Sequence, residues 1–305
     1  MDTLSEILKT INLSGTVYKR INLSSPWGIE FDSCIFARFH MVVSGQCWLN
    51  IKDLNKQIRI SAGDIVVFPR GDAHSLYDNP DSKLVPGNEV VEAIQNNRPM
   101  FEGDKVDTIF VGGHFEFDRN VNHPLIDALP RFIHISDAER TELSWLETAT
   151  NVIIQETDSG IPGSDVIVNR LAEVLFIQIL RAYMLRSNFS SGFLAALRDR
   201  QINKALELIH ATPDASWTVE KLGREIGMSR SAFSSRFKEL VGLAPIEYTT
   251  NWRMQKAYEM LKDTKLPLST IAKQIGYISE PAFSRAFKRQ FKQNPGAMRR
   301  SFSTI

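Results

Sequence analysis

The 305-residue chain has only two cysteines, Cys34 and Cys47, which does not suggest a disulfide scaffold. Long hydrophobic runs are also missing. The longest, around LAEVLFIQIL (171–180), contains Glu173 and Gln178 and is too short to span a bilayer. The N-terminus, MDTLSEILKTINLSG, has acidic residues early and no apolar core of the signal-peptide type. These absences predict a soluble, cytoplasmic protein with no membrane partner. Nor is there an excess of either charge, since 36 Lys plus Arg meet 35 Asp plus Glu for a net of +1. That balance conceals an asymmetry. From Gly192 onward 19 basic residues face 10 acidic ones, a net of +9, whereas the preceding residues carry a net of −8. Length allows about two domains, and the charge division places them.

The basic third contains an internal repeat. AFSSRFKEL at 232–240 returns as AFSRAFKRQ at 282–290. Upstream, VEKLGREIGMS (219–229) lies over LSTIAKQIGYIS (268–279), with one extra residue in the second copy. Each copy reads as a short amphipathic helix, a turn at Gly227 or Gly276, and a second helix capped by Ser229 or Ser279. Phe233, Phe237, Leu240 and Val241 share one face of the first such helix, as Phe283, Phe287 and Phe291 do in the second. Two aligned helix-turn-helix units specify far more than one. On the opposite faces stand Arg230, Ser231, Ser234, Ser235 and Lys238, and then Glu280, Ser284, Arg285, Lys288 and Arg289. The plainer reading of those faces is solvation. The repeat and the net positive charge favour nucleic acid, with small polar groups and Arg at base edges and flanking cations at phosphates.

The joining segment, PIEYTTNWRMQKAYEMLKDT (245–264), opens with Pro245 and keeps Ile246, Thr250, Met254, Ala257 and Leu261 at helical spacing. A rigid helix of about 18 residues spans about 27 Å. It would hold two recognition helices roughly one DNA turn, about 34 Å, apart. The span 192–305 is accordingly expected to bind DNA by itself. With these stretches in view, residues 202–301 resemble the DNA-binding domain of the AraC/XylS family of bacterial transcription regulators. The resemblance implies seven helices, with recognition helices at Ser229–Val241 and Ser279–Gln290. Pro281 departs from the family pattern, since it occupies an early position where relatives often have a polar side chain. It cannot donate to a base, which leaves Arg285 and Ser284 as readers in that half.

The N-terminal two-thirds is a different kind of chain. Residues 15–77 read as short strands, CIFARFHMVV, CWLNI and QIRI, separated by turn signals, which suggests a small barrel or jelly roll. In GDIVVFPRGDAH (63–74), Gly63, Pro69, Gly71 and His74 stand at the intervals of a cupin signature. Metal-binding cupins carry a Glu seven positions before a Gly. If Gly45 is that Gly, Arg38 occupies the Glu position, and a cation there repels a metal. Strand parity puts Arg38 and His40 on one side, and the cupin signature aims His74 into the same interior. This trio suits an anionic or hydroxylated ligand. A weak Zn site with His114 and satisfied core histidines are the other readings. FARFHMVVSGQCWLNI, VGGHFEFD and HPLIDALP resemble the cupin-type sensor domain of one branch of the same regulators. Gly112 stands where many of those relatives have Cys, which argues against thiol sensing. The polar stretch 78–107 reads as a mobile excursion or a lid, disorder without function being the plainer of the two.

Ser136 and Glu139 form a capping box opening a helix through about Glu156. Ser164 caps a second, to about Leu185. The expected class is α+β: a cupin-like β-barrel sensor with helices, followed by an all-α domain with two helix-turn-helix units. Its expected divisions are the barrel at 1–135, a helical packing or dimerisation segment at 136–190, a linker at 191–201 and the DNA-binding domain at 202–301. The expected function is a one-component transcription regulator that binds specific promoter DNA under control of a small-molecule or stress signal, without a metal or other cofactor. Its expected partners are promoter DNA, an effector, a second copy of the chain, and RNA polymerase where the output is activation. The rival is a cupin enzyme, an isomerase or dioxygenase, with an accessory DNA domain.

Overall fold

The computed structural model describes residues 2–302, apart from 19, 52, 53, 55, 97, 99, 102, 104, 119, 122, 187 and 188. Helix α1 (Thr3–Thr10) precedes the strands β1 (Ser14–Val17), β2 (Ile21–Leu23), β3 (Gly28–Phe31) and β4 (Ala37–Ser44). Next come β5 (Gln46–Ile51), β6 (Lys56–Ser61), β7 (Ile65–Phe68), β8 (His74–Tyr77) and β9 (Val85–Pro86). Then follow α2 (Gly87–Gln95), β10 (Thr108–Glu116), α3 (Pro124–Ala128) and β11 (Ile133–Ile135). The remaining helices are α4 (Asp137–Glu142), α5 (Ser144–Ser159), α6 (Ser164–Arg186), α7 (Phe193–Arg198), α8 (Arg200–Ala211) and α9 (Val219–Glu225). The chain ends with α10 (Arg230–Val241), α11 (Pro245–Asp263), α12 (Leu268–Gln274), α13 (Glu280–Phe291) and α14 (Pro295–Phe302).

Two compact units result. The sheet unit comprises Leu13–Phe117 and Leu129–Ser187, and the helical unit comprises Met1–Asn12, Asp118–Ala128 and Asn188–Ile305.

In the sheet unit one sheet runs β1-β10-β4-β7-β11, with β2 also on β10, and the other runs β6-β5-β8-β3-β9. The core lies between them. Val42, Val66, Phe68 and Phe110 from the first sheet meet Ile29, Leu49, Ile60 and Leu76 from the second. Period-two alternation explains β4, where Arg38, His40 and Val42 face this interior. The alternate residue Phe39 points the other way and packs on Phe115, 4.8 Å between ring centroids. Phe115 in turn meets Phe176 of α6 at 5.0 Å. The first sheet is thus buried on both faces, which is why β4 and β10 read as nearly continuous apolar runs. Ser136 and Glu139 do form a capping box. The helix they open is shorter than expected, because Leu143 (φ −108°, ψ 81°) leaves helical geometry and divides α4 from α5.

Residues 78–107 contain local order, β9 and then α2, which buries Val90 and Ala93. That differs from the expectation of an unstructured excursion. Val90, Ala93 and Ile94 recur at helical spacing inside a polar stretch, so their apolar stripe has the sheet unit's core to bury against.

The helical unit contains all seven helices from α8 to α14 that the family resemblance implied. It also takes in segments the sequence assigned elsewhere. Within residues 191–201, expected as a linker, Phe193–Arg198 form α7, with Phe193, Leu194, Ala195 and Ala196 buried, and Arg200 opens α8. Helix α1 and the segment 118–128 pack on α11. Lys256 Nζ donates to Thr10 Oγ1 at 3.2 Å, and the Tyr258 hydroxyl donates to Asp118 Oδ2 at 3.0 Å. His123 is buried with them, its ring lying among Phe193, Tyr248 and Trp252. A fragment beginning at Gly192 therefore lacks part of this unit's own core.

Candidate nucleic-acid interface and ligand pocket

The two helix-turn-helix units are built alike. Thr218 caps α9, and Ser229 and Ser279 cap α10 and α13 by accepting from the Ala232 and Ala282 backbone N–H groups. Gly227 (φ 71°) and Gly276 (φ 79°) turn the chain in the left-handed region, where a side chain is strained. At Gly276 a Cβ would also stand 2.6 Å from the Asp214 carbonyl oxygen. The turns match bond for bond: Met228 N–H donates to Gly223 O, and Tyr277 N–H to Ala272 O, both at 2.8 Å. The inserted residue of the second copy is thus Ile278, whose side chain is fully exposed.

Phe233, Phe237, Phe283 and Phe287 are completely buried and set the rotation of α10 and α13. Rotation about that inner face leaves Arg230, Ser231, Ser235, Lys238, Glu280, Arg285, Lys288 and Arg289 exposed, with Ser234 and Ser284 half-buried. Among the described residues no ion pair engages Arg230, Lys238, Arg285 or Lys288. Two other cations of this unit are committed to the fold. Arg236 bonds Asp199 and Glu239, and Arg253 bonds the carbonyls of Pro213 and Ala215 at 2.6 and 2.8 Å. The exposed cations of α10 and α13 carry no such commitment among the described residues. Helix α11, 19 residues long, joins the two units and is about 28 Å in length.

The sheet unit holds a pocket of 260 Å³ between β4, β10 and α2. Its wall includes Tyr18, Phe31, Phe36, Arg38, His40 and His114. His40 and His74 meet directly, Nε2 to Nε2 at 2.8 Å. His74 does not line the pocket. It lies behind His40, stacked on Phe68 at 3.6 Å between centroids, with Nδ1 2.8 Å from the Asp72 carbonyl oxygen. Burial pushes the His74 pKa down to about 3. Burial, with His74 and the Arg38 charge adding to it, holds His40 well below the ordinary histidine range. Both rings are neutral at pH 7. Arg38 donates from Nη1 to the Asp32 carbonyl at 2.5 Å and lies over the Phe31 ring at 5.3 Å.

The structure thus brings Arg38 and His40 to one wall and leaves His74 as the support of His40. His114 is held elsewhere on that wall, its Nδ1 2.7 Å from the Tyr18 hydroxyl and its Nε2 3.1 Å from Glu116. Among the described residues no three His, Cys, Asp or Glu side chains are grouped to hold a metal. Burial raises the Cys47 thiol far above its usual pKa, so it is a poor thiolate. The sequence reading missed Tyr18, Phe31, Phe36 and the residues of α2 in this wall. Their only local signal was the apolar spacing of Val90 and Ile94.

Two family profiles match the chain, Cupin over residues 2–185 and Helix-turn-helix domain over residues 222–301. The chain is 32% identical to the HTH-type transcriptional regulator AlkR of Acinetobacter baylyi, over 97% of this chain and 98% of that one. A putative AraC-like transcription regulator of Streptomyces lividans is 31% identical over 98% of each chain. MtrA of Neisseria gonorrhoeae, another HTH-type transcriptional regulator, is 28% identical over 98% of each. Among solved structures, ToxT of Vibrio cholerae with a bound unsaturated fatty acid is similar at 16% identity, with a TM-score of 0.37. That match covers 96% of this chain and 97% of ToxT. A sheet unit of cupin type with paired helix-turn-helix units defines a DNA-binding transcription regulator, and its relatives are regulators rather than enzymes. The chain belongs to the AraC-like family of transcription regulators.

Proposed function

We propose that this protein is a one-component regulator in which a small molecule in the 260 Å³ pocket controls how α10 and α13 engage promoter DNA. One observation carries this reading: the same chain holds a histidine-backed pocket and two recognition helices on which Arg230, Lys238, Arg285 and Lys288 have no ion pair among the described residues. Arg230, Ser231, Ser234, Ser235, Glu280, Ser284 and Arg285 face the bases, and Lys238, Lys288 and Arg289 serve the backbone. Arg38 and His40 contact the effector, and His74 positions His40. Binding to upstream DNA should protect two major-groove segments about one turn apart. Lys288→Ala should weaken all sequences about equally and lower the salt slope by about one unit. Arg38→Ala should leave DNA affinity intact while weakening the effector's influence on it. Loss of DNA binding in that variant, measured by fluorescence anisotropy, would count against a sensory role.

The finer features belong to the same proposal. The protein acts in the cytoplasm, where its DNA is, and contacts RNA polymerase where it activates. It pairs with a second copy through α5 and α6. Trp145, Val166, Ile167 and Val174 on these helices are 70, 66, 44 and 40% exposed, an apolar surface that a partner would cover. Sedimentation should show a dimer that Val174→Glu shifts to monomer, and an unchanged monomer in both proteins would remove this interface.

A further inference from the structure

The protons in the pocket wall can be placed one at a time. The Asp72 carbonyl can only accept, so His74 Nδ1 carries a proton. Each neutral imidazole has a single N–H, which leaves His74 Nε2 bare. The 2.8 Å contact then requires His40 Nε2 to be the donor. His40 Nδ1 is left as a lone pair, and among the described residues it has no hydrogen-bond partner. It lies beside Gly112, directly across from His40 in the β10–β4 pair. A Cβ at Gly112 would stand 3.5 Å from Nδ1, and both residues line the pocket. The missing side chain at 112 therefore keeps open the space in front of a fixed acceptor.

From this geometry we propose that the pocket takes a small, uncharged molecule with an apolar, aromatic body and a hydroxyl that donates to His40 Nδ1. The inference rests on the reading of this pocket as the effector site. Phe31, Phe36 and Tyr18 supply the walls for such a body. The volume lies below the roughly 300–1,000 Å³ of pockets that hold drug-sized ligands, so the molecule is small. A carboxylate offers lone pairs only and cannot satisfy Nδ1. The single proton on each histidine also fixes the direction of the bond, because reversing it would need a second donor at Asp72.

The test uses full-length protein and three probes of one shape: 4-ethylphenol, 4-ethylanisole and 4-ethylbenzoate. Binding is read by calorimetry and by the side-chain nitrogen resonances of His40. The phenol should bind and shift the Nδ1 resonance. The ether and the benzoate should bind at least about tenfold more weakly, since each buries the acceptor without a donor. Gly112→Ala, whose backbone is outside the left-handed region, fills the space before Nδ1 and should weaken the phenol by a similar factor without lowering the melting temperature. In His40→Phe the ratio of phenol to ether affinity should fall to about one. Equal binding of phenol and ether, tighter binding of the benzoate, or unchanged phenol binding in Gly112→Ala would overturn the assigned polarity while leaving the pocket a ligand site. If none of the probes binds, both the polarity and the effector-site reading fail.

Discussion

His123→Ala should lower the stability of the helical unit by about 3 kcal/mol, measured by urea unfolding and by hydrogen exchange along α11. The ring is buried to 1% exposure. The Leu125 N–H donates to its Nδ1 at 3.1 Å, so its Nε2–H donates to the Tyr248 hydroxyl at 3.1 Å. That hydroxyl in turn donates to His210 Nε2 at 2.8 Å. Truncation removes the ring's contacts and one member of this chain of hydrogen bonds together. Sheet-unit amides should keep their protection, because no atom of that unit takes part.

The same chain makes the unit sensitive to acid. Burial pushes His123 down to about 3, and burial with the nearby charges of His123 and Lys256 pushes His210 to about 2. The unfolded rings titrate near 6.5. Above that pH both states are neutral and the contribution to stability is complete. As pH falls from 6.5 towards 3, the unfolded state takes up protons that the folded state refuses, and stability is lost. At pH 5.5 each histidine should account for about 1.4 kcal/mol. The loss in His123→Ala over that interval should be about half that of the wild type. An identical pH slope in the two proteins would show that His123 is not buried as a neutral ring.

Arg285→Ala should cost about 1–3 kcal/mol at one operator position and relax the base preference there. The side chain is exposed one turn into α13, beyond a core face held by Phe283 and Phe287. Its guanidinium has no ion pair among the described residues, so its donor fork is available to guanine O6 and N7. In α10 the groups at the corresponding face, Ser231, Ser234 and Ser235, have single hydroxyls that discriminate bases less well. The second half-site should therefore show the sharper preference across all single-base operator variants. Should Ser231→Ala alter base preference more than Arg285→Ala, the two halves are reversed.

The sequence by itself determined the helical elements of the DNA-binding region. The reason is local: Phe233 and Phe237, like Phe283 and Phe287, recur at the helical period, and Ser229 and Ser279 cap the helices they begin. It also determined that Arg38 and His40 share a strand face, because parity in β4 needs no knowledge of the rest of the chain. Only the tertiary structure decided that α1 and residues 118–128 complete the helical unit. His123 and Tyr248 are 125 positions apart in sequence, and a contact at that separation leaves no periodic trace in either segment. The same holds for α2, whose stripe at Val90 and Ile94 is too short to stand out from its polar surroundings until a sheet interior covers it. Likewise, strand parity could aim His40 and His74 at one interior, but not at one another. Their hydrogen bond is set by β4 and β8 belonging to different sheets that meet across the core, and it is this bond that places the bare nitrogen of His40 beside Gly112.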